Sequence, residues 1–284
     1  MNKTYNFAFF DEGSKREIRR ATLKAIAIPG YQVPFASREM PIGRGWGTGG
    51  LQLTLSLIGK DDVLKVIDQG SDESVNAVNI KKLVSDTTGV RTTDRTKEAS
   101  LIQSRHRVPE VPLQRDQILV LQVPLPEPLR NFEPSEHETK KLHAEREYSG
   151  AWLMLFEQIM KYGIMATDAD HPVMVHDRYV MAPSPIPRFD NAKLDGNEAL
   201  ILLGAGREKK VYAVPPYTNV SSLAFDDYQF EIESFASHSC ILCGSNDVFL
   251  DELVDEESGE TYFQCNDTSN CLEMVNQKQS LGVN

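Results

Sequence analysis

Four cysteines carry the clearest chemical signal in this sequence: Cys240, Cys243, Cys265 and Cys271, spaced C-x2-C-x21-C-x5-C. None occurs in the first 239 residues. A CxxC pair closes a short knuckle that aims two thiolates at one metal, and a later pair completes four ligands. Chance scatter does not gather every cysteine of a 284-residue chain into 32 positions. The opening residues hold too short an apolar run for a secretory signal, so the chain reads as cytoplasmic, where disulfides are the weak reading. Thiolates suit both zinc and iron–sulfur clusters, so the spacing alone leaves a structural zinc ribbon and an iron–sulfur site open.

The segment that carries these thiols has too few apolar residues for a core of its own, so a metal is expected to order it. Its charge sets it apart too. After Phe225 there are 13 Asp or Glu and one basic residue, Lys278, whereas the preceding chain carries 29 basic and 28 acidic residues. The expected organisation is therefore a main domain over 1–235, with room for an insertion over about 125–185, and an appended four-cysteine module with an acidic tail over 236–284. A net charge of −11 without a dominant basic face argues against nucleic acid. No apolar run approaches the roughly 18 residues of a membrane helix.

Ahead of the cysteines, helices and strands alternate, which points to an α+β or mixed α/β fold. Ser14 and Glu17 read as a capping box opening a helix to about Ile28, stopped by Pro29-Gly30. A turn-rich stretch follows, ending in Gly45-Trp46-Gly47-Thr48-Gly49-Gly50. Its glycines could bring backbone amides to a phosphate, but it lacks the P-loop ending, and a tight structural loop is the stronger reading. Leu51–Ile58 alternates like a strand. Helices are expected near Asp61–Gln69 and Ser74–Ser85. Ile118–Val123 reads as a strand, and Ser135 with Glu138 as a second capping box for a helix to about Tyr162. Hairpins are expected from Val173–Val175 with Arg178–Met181, and from Ala199–Leu203 with Lys210–Val214.

Longer motifs are far more specific: AIPGYQVPF, REMP, GWGTGG, DVLKVIDQG, RHRVPE, QVPLPEPLR, PSPIPRFDN, GAGREK and YAVPPYT. Together with the cysteine spacing they resemble the catalytic-subunit family of bacterial carbon–phosphorus lyase, from about Tyr5 to Cys271. The resemblance implies a radical S-adenosylmethionine lyase acting on α-D-ribose 1-methylphosphonate 5-phosphate. Methane and ribose 1,2-cyclic phosphate 5-phosphate would be its products. It further implies a [4Fe-4S] cluster on Cys240, Cys243 and Cys265, a glycyl radical at Gly30 and a thiyl radical at Cys271. The implied partners are the other lyase core subunits and an ABC-type ATPase.

Such chemistry has a physical rationale. A methyl carbanion is too unstable to leave phosphorus, so homolysis is the escape, and radical chemistry needs a cofactor to start it. The implied substrate is multiply anionic, and arginine forks suit phosphate and phosphonate oxygens. Arg105 and Arg107 are the cationic candidates, with Gln122 and Glu147 as partners for ribose hydroxyls. The bland reading makes the arginines surface or interface pairs. Cys271 has two incompatible roles, since a thiolate held by zinc as a fourth ligand is not a free attacking thiol. The alternative function is a zinc-ribbon scaffold within an assembly whose chemistry lies on another subunit.

Overall fold

The computed structural model describes residues 12–31, 33–35, 48–105, 107–122, 135, 137, 173–176, 178–181, 188–205, 210–222 and 233–281. In chain order the elements are α1 (Glu12–Ala27), β1 (Val33–Pro34), α2 (Thr48–Leu57), β2 (Val63–Asp68), α3 (Val75–Thr88), β3 (Arg91–Thr92), β4 (Leu101–Arg105) and β5 (Ile118–Gln122). Then come β6 (Val173–Val175), β7 (Arg178–Met181), α4 (Arg188–Asn191), β8 (Leu200–Ala205), β9 (Lys210–Val214) and β10 (Val220–Ser222). The chain ends with β11 (Leu250–Val254), β12 (Thr261–Cys265) and α5 (Thr268–Ser280).

A seven-stranded sheet in the order β1-β9-β8-β5-β4-β2-β3 organises the molecule. From β3 to β8 the pairings are parallel, and β9 and β1 add antiparallel strands at one side. Alternate side chains fill two cores, as the period-2 geometry of a strand requires. Leu64, Val66, Leu101, Val120 and Leu202 pack under α1, α2 and α3. Ile67, Ile102, Leu119, Leu121, Ile201 and Leu203 meet Val108, Leu113, Leu194 and Val220 on the other face. Burial on both faces explains the near-continuous apolar runs of β5 and β8.

The mixed α/β class, strand β5 and both hairpins follow the sequence reading. So does α3, where Ser74 Oγ accepts from the Ala77 amide and Gly89 closes the helix in the left-handed conformation. Three local expectations are overturned. Leu51–Ile58 lies mostly in helix α2, with residues 51–56 all buried. An all-round buried helix needs no polar face, so its Leu-x-Leu-x-Leu alternation carries no strand information. Asp61–Gln69 contains strand β2, not a helix. Its Lys65 looks solvent-bound in sequence but is wholly buried, donating to Asp72 Oδ2 at 2.6 Å and to Ser269 Oγ at 3.0 Å. Helix α1 already runs at Glu12, so Ser14 stands inside it and not at its N-cap. The helix expected from Ser135 to Tyr162 lies outside the described residues, apart from isolated positions.

The cysteine segment forms the β11–β12 hairpin followed by α5. Its core is small: the four cysteines, Val248 and Leu250, with Phe235, Phe263, Met274 and Val275 partly buried around them. It docks on the sheet through buried charges. Arg107 donates to Asp190 Oδ2 at 2.7 Å, to Asn266 Oδ1 at 2.7 Å and to Glu110 Oε1 at 3.1 Å. Its guanidinium carbon lies 3.9 Å from the centre of the Phe249 ring. Among the described residues no helix is long and apolar enough to cross a membrane.

Candidate functional site

Parallel pairing brings Asp68, Arg105, Gln122 and Gly204 into one row across β2, β4, β5 and β8, at the carboxyl ends of the strands. From β2 the chain runs outward to β3, then returns to place β4 on the other flank of β2. Ligands of open α/β sheets bind outside the carboxyl ends at such a switch point. A crevice sits there, lined by Asp68, Asn76, Gln103, Arg105 and Gln122. Its volume is about 10 Å³, room for about one water, so an anionic group enters only if these side chains part.

Arg105 is the cation of this crevice. Its Nη2 donates to Asp68 Oδ2 at 2.9 Å, and its Nε also pairs with Asp68. The fork toward Asp68 leaves Nη1 without a partner among the described residues. Gln103 is buried, and its Oε1 has no hydrogen-bond partner among the described residues. A buried amide oxygen without a donor carries a desolvation cost that a ligand hydroxyl would relieve. Gln122 is buried beside it, so Arg105 and Gln122 are brought together as one site. The period-2 alternation of β4 could have revealed Gln103 in the sequence, since residues 103 and 105 share a face.

Thr48-Gly49-Gly50 opens helix α2 instead of forming the tight loop expected there, and its glycines, with Gly204 of β8, allow close packing. A Cβ at Gly50 would lie 3.0 Å from Gln122 Cβ, and one at Gly204 would lie 2.9 Å from Gly49 O. Their absence of side chain lets the start of α2 lie directly on the row of strand ends.

Other expected residues fall elsewhere. Arg107 is buried, and its donors are taken up by Asp190, Glu110 and Asn266, so it staples the cysteine segment to the sheet rather than facing the crevice. Gly30 is buried after α1 with φ +77°, and its amide donates to Ala213 O at 3.5 Å. That conformation explains a glycine there by itself. Glu147 and His106 lie outside the described residues.

The four thiols converge, all buried, with their sulfurs within 4.8 Å of one another. Cys243 and Cys265 sulfurs are 3.4 Å apart, and those of Cys240 and Cys271 are 3.7 Å apart. A tetrahedral zinc site with Zn–S near 2.3 Å requires sulfurs about 3.8 Å apart. The donor set fits zinc or iron–sulfur chemistry, and its spacing fits one tetrahedral ion. An iron–sulfur cluster gives each thiolate its own iron, so it needs these thiols to spread.

Electrostatics divide the set. Burial opposes ionisation of Cys240, but the amides of Cys243, Cys265 and Leu242 outweigh it and bring the thiol down to about 6. Burial and the neighbouring thiols push Cys271 up to about 12, and Cys265 is raised for the same reasons. Metal binding must therefore expel protons from at least Cys265 and Cys271. Zinc affinity is expected to fall as pH falls from 8 to 6, by roughly 100-fold per unit for two released protons. Competition against a chelator at several pH values measures this, and a pH-independent affinity would refute it.

Comparison with known proteins bears on what this arrangement does. The family model described as "Phosphonate metabolism protein PhnJ" matches residues 3–277. The chain is 55% identical over 274 residues to the alpha-D-ribose 1-methylphosphonate 5-phosphate C-P lyase of Escherichia coli strain K12, covering 96% of this chain and 97% of that protein. It is 57% identical over 268 residues to the alpha-D-ribose 1-methylphosphonate 5-phosphate C-P-lyase of Rhizobium meliloti strain 1021, covering 94% and 90% respectively.

Proposed function

The chain belongs to the PhnJ family of phosphonate metabolism proteins, and from that premise we propose that it is a lyase cleaving the carbon–phosphorus bond of α-D-ribose 1-methylphosphonate 5-phosphate. The likeness over nearly the full length of both relatives carries this reading. The products are methane and α-D-ribose 1,2-cyclic phosphate 5-phosphate, and the cosubstrate is S-adenosylmethionine.

Arg105 meets one anionic group of the substrate through its outer edge, while Asp68 holds its inner edge. Gln103 and Gln122 face ribose hydroxyls, with Glu147 as a further polar partner. Arg107 contributes by fixing the module that carries the thiols.

A [4Fe-4S] cluster on Cys240, Cys243 and Cys265 supplies, when bound, the electron that splits S-adenosylmethionine. Gly30 Cα gives one hydrogen atom to the 5′-deoxyadenosyl fragment, which leaves as 5′-deoxyadenosine, so Gly30 holds an unpaired electron that its flanking amides delocalise. Hydrogen-atom transfer from the Cys271 thiol to Gly30 Cα makes the Cys271 thiyl. The Cys271 sulfur bonds to phosphorus as the carbon–phosphorus bond breaks homolytically, and the methyl radical takes a hydrogen atom from Gly30 Cα, which restores the unpaired electron there. The substrate's 2′-hydroxyl then displaces the sulfur and closes the cyclic phosphate, restoring Cys271. Residues 236–284 act as a metal-ordered module within this scheme. The enzyme works in the cytoplasm with the other lyase core subunits and an ABC-type ATPase.

A zinc-ribbon scaffold is the second reading, favoured by sulfur spacing that suits one ion. Anaerobic reconstitution with iron and sulfide in the lyase complex separates the two. A reducible cluster and methane from the ribosyl phosphonate are expected. Zinc alone, with no cluster and no methane under any condition, would establish the scaffold.

A further inference from the structure

Asn266 links the thiol cluster to the turn beside the Arg105 crevice through its side chain, next to a backbone link in which the Thr268 amide donates to Gly70 O at 3.4 Å. Asn266 directly follows Cys265. Its Nδ2 donates to Gln69 O at 3.0 Å and to Asp251 Oδ2 at 2.9 Å, while its Oδ1 accepts from Arg107 at 2.7 Å. Gly70 makes room for it: a Cβ at Gly70, whose φ is +85°, would lie 1.9 Å from Asn266 Oδ1. On the far side, Gln69 directly follows Asp68, the partner of Arg105, and the Gln69 amide donates to Arg105 O at 3.3 Å. Gln69 itself holds φ +53°, a conformation costly for a residue with a side chain. Paired backbone bonds between Asp68 and Ser71 close this turn from within, and Asn266 clamps it from outside.

The clamp is only as ordered as the segment behind it. Four thiols make up much of that small core, so metal loading sets its order. We propose that Asn266 is a positioning residue through which metal loading of the cysteine cluster tunes the affinity of the Arg105 crevice for an anion. With metal bound, Asn266 holds the Gln69-Gly70 turn and keeps Asp68 and Arg105 aligned. Without metal the turn relaxes and the arginine loses its brace. Linkage makes the effect reciprocal: an anion at Arg105 tightens metal binding by the same factor. This inference rests on reading the crevice as an anion site, but not on the radical chemistry.

Zinc and ribose 5-phosphate are the probes, with the full chain. Zinc affinity is measured by chelator competition with and without saturating ribose 5-phosphate. The wild type is expected to bind zinc about 5- to 150-fold more tightly with the sugar phosphate present. Asn266→Ala should still bind one zinc, with that factor reduced to about one. A residue of merely structural importance would lower both affinities and leave the factor intact, and that result overturns the proposal. So does a factor of one in the wild type. If ribose 5-phosphate binds zinc-loaded wild type and Arg105→Ala abolishes that binding, the anion reading stands whatever the coupling. If Arg105→Ala does not weaken it, both fail. Should Asn266→Ala not fold, amide exchange in the wild type decides. Stripping zinc should expose the Gln69 and Ser71 amides, and unchanged protection there overturns the proposal.

Discussion

Cys271→Ala is expected to abolish methane formation while leaving the first radical transfer intact. Gly30→Ala is expected to abolish both. Cα-deuterated glycine separates them. If Gly30 is the radical position, label passes from Gly30 into 5′-deoxyadenosine in the wild type and in Cys271→Ala, but not in Gly30→Ala. The structure makes one control essential. With φ at +77°, alanine at Gly30 is strained by about 1–2 kcal/mol whatever its chemistry. Thermal unfolding of both variants must therefore accompany the label measurement. Cys271 has its own ambiguity, because its sulfur lies 3.7 Å from that of Cys240 inside the candidate metal site. If Cys271→Ala retains the cluster and the label transfer, the thiyl role stands. Loss of the cluster would make Cys271 a ligand and end that role. Methane from a well-folded Gly30→Ala would end the glycyl radical.

The metal site was legible in the sequence because its geometry is nearly local: a knuckle, a hairpin and one helical turn bring the sulfurs together. Helix α3 was legible for a similar reason, with Ser74 marking its start, although it runs past the expected Ser85 to Thr88 and closes at Gly89. What the sequence hid was set by distant partners. Lys65 reads as a surface charge until Asp72 and Ser269 are placed beside it, and Asp61 reads as an N-cap although strand β2 follows it. Arg105 and Arg107 stand two apart in one motif yet do different work. Asp68 aligns Arg105 at the crevice, whereas Asp190, 83 residues from Arg107, draws that side chain into the interface. Nothing in the local motif distinguishes them. Asn266 was missed too, although its place beside a metal ligand is the signal that could have found it.

That division of labour makes the arginines a paired test. Arg105→Ala is expected to weaken substrate binding by about 2–5 kcal/mol, roughly 30- to 4000-fold, and also to cost some stability, because it leaves Asp68 buried without its partner. Arg107→Ala should act mainly on stability and reach substrate binding only indirectly, through Asn266. It leaves Asp190 and Glu110 buried without their partner, and breaking such a buried pair costs about 3–5 kcal/mol. Calorimetric titration of the substrate and urea unfolding, on both variants, read the two effects separately. Arg105→Ala carries one confounder, since it also frees the Asp68 carboxylate to repel an anion. The double variant Arg105→Ala/Asp68→Asn removes that charge. If repulsion caused the loss, the double variant recovers affinity. If the missing guanidinium caused it, affinity stays low. Unchanged substrate affinity in Arg105→Ala would take the crevice out of the active site, because Arg105 is its only cation among the described lining residues.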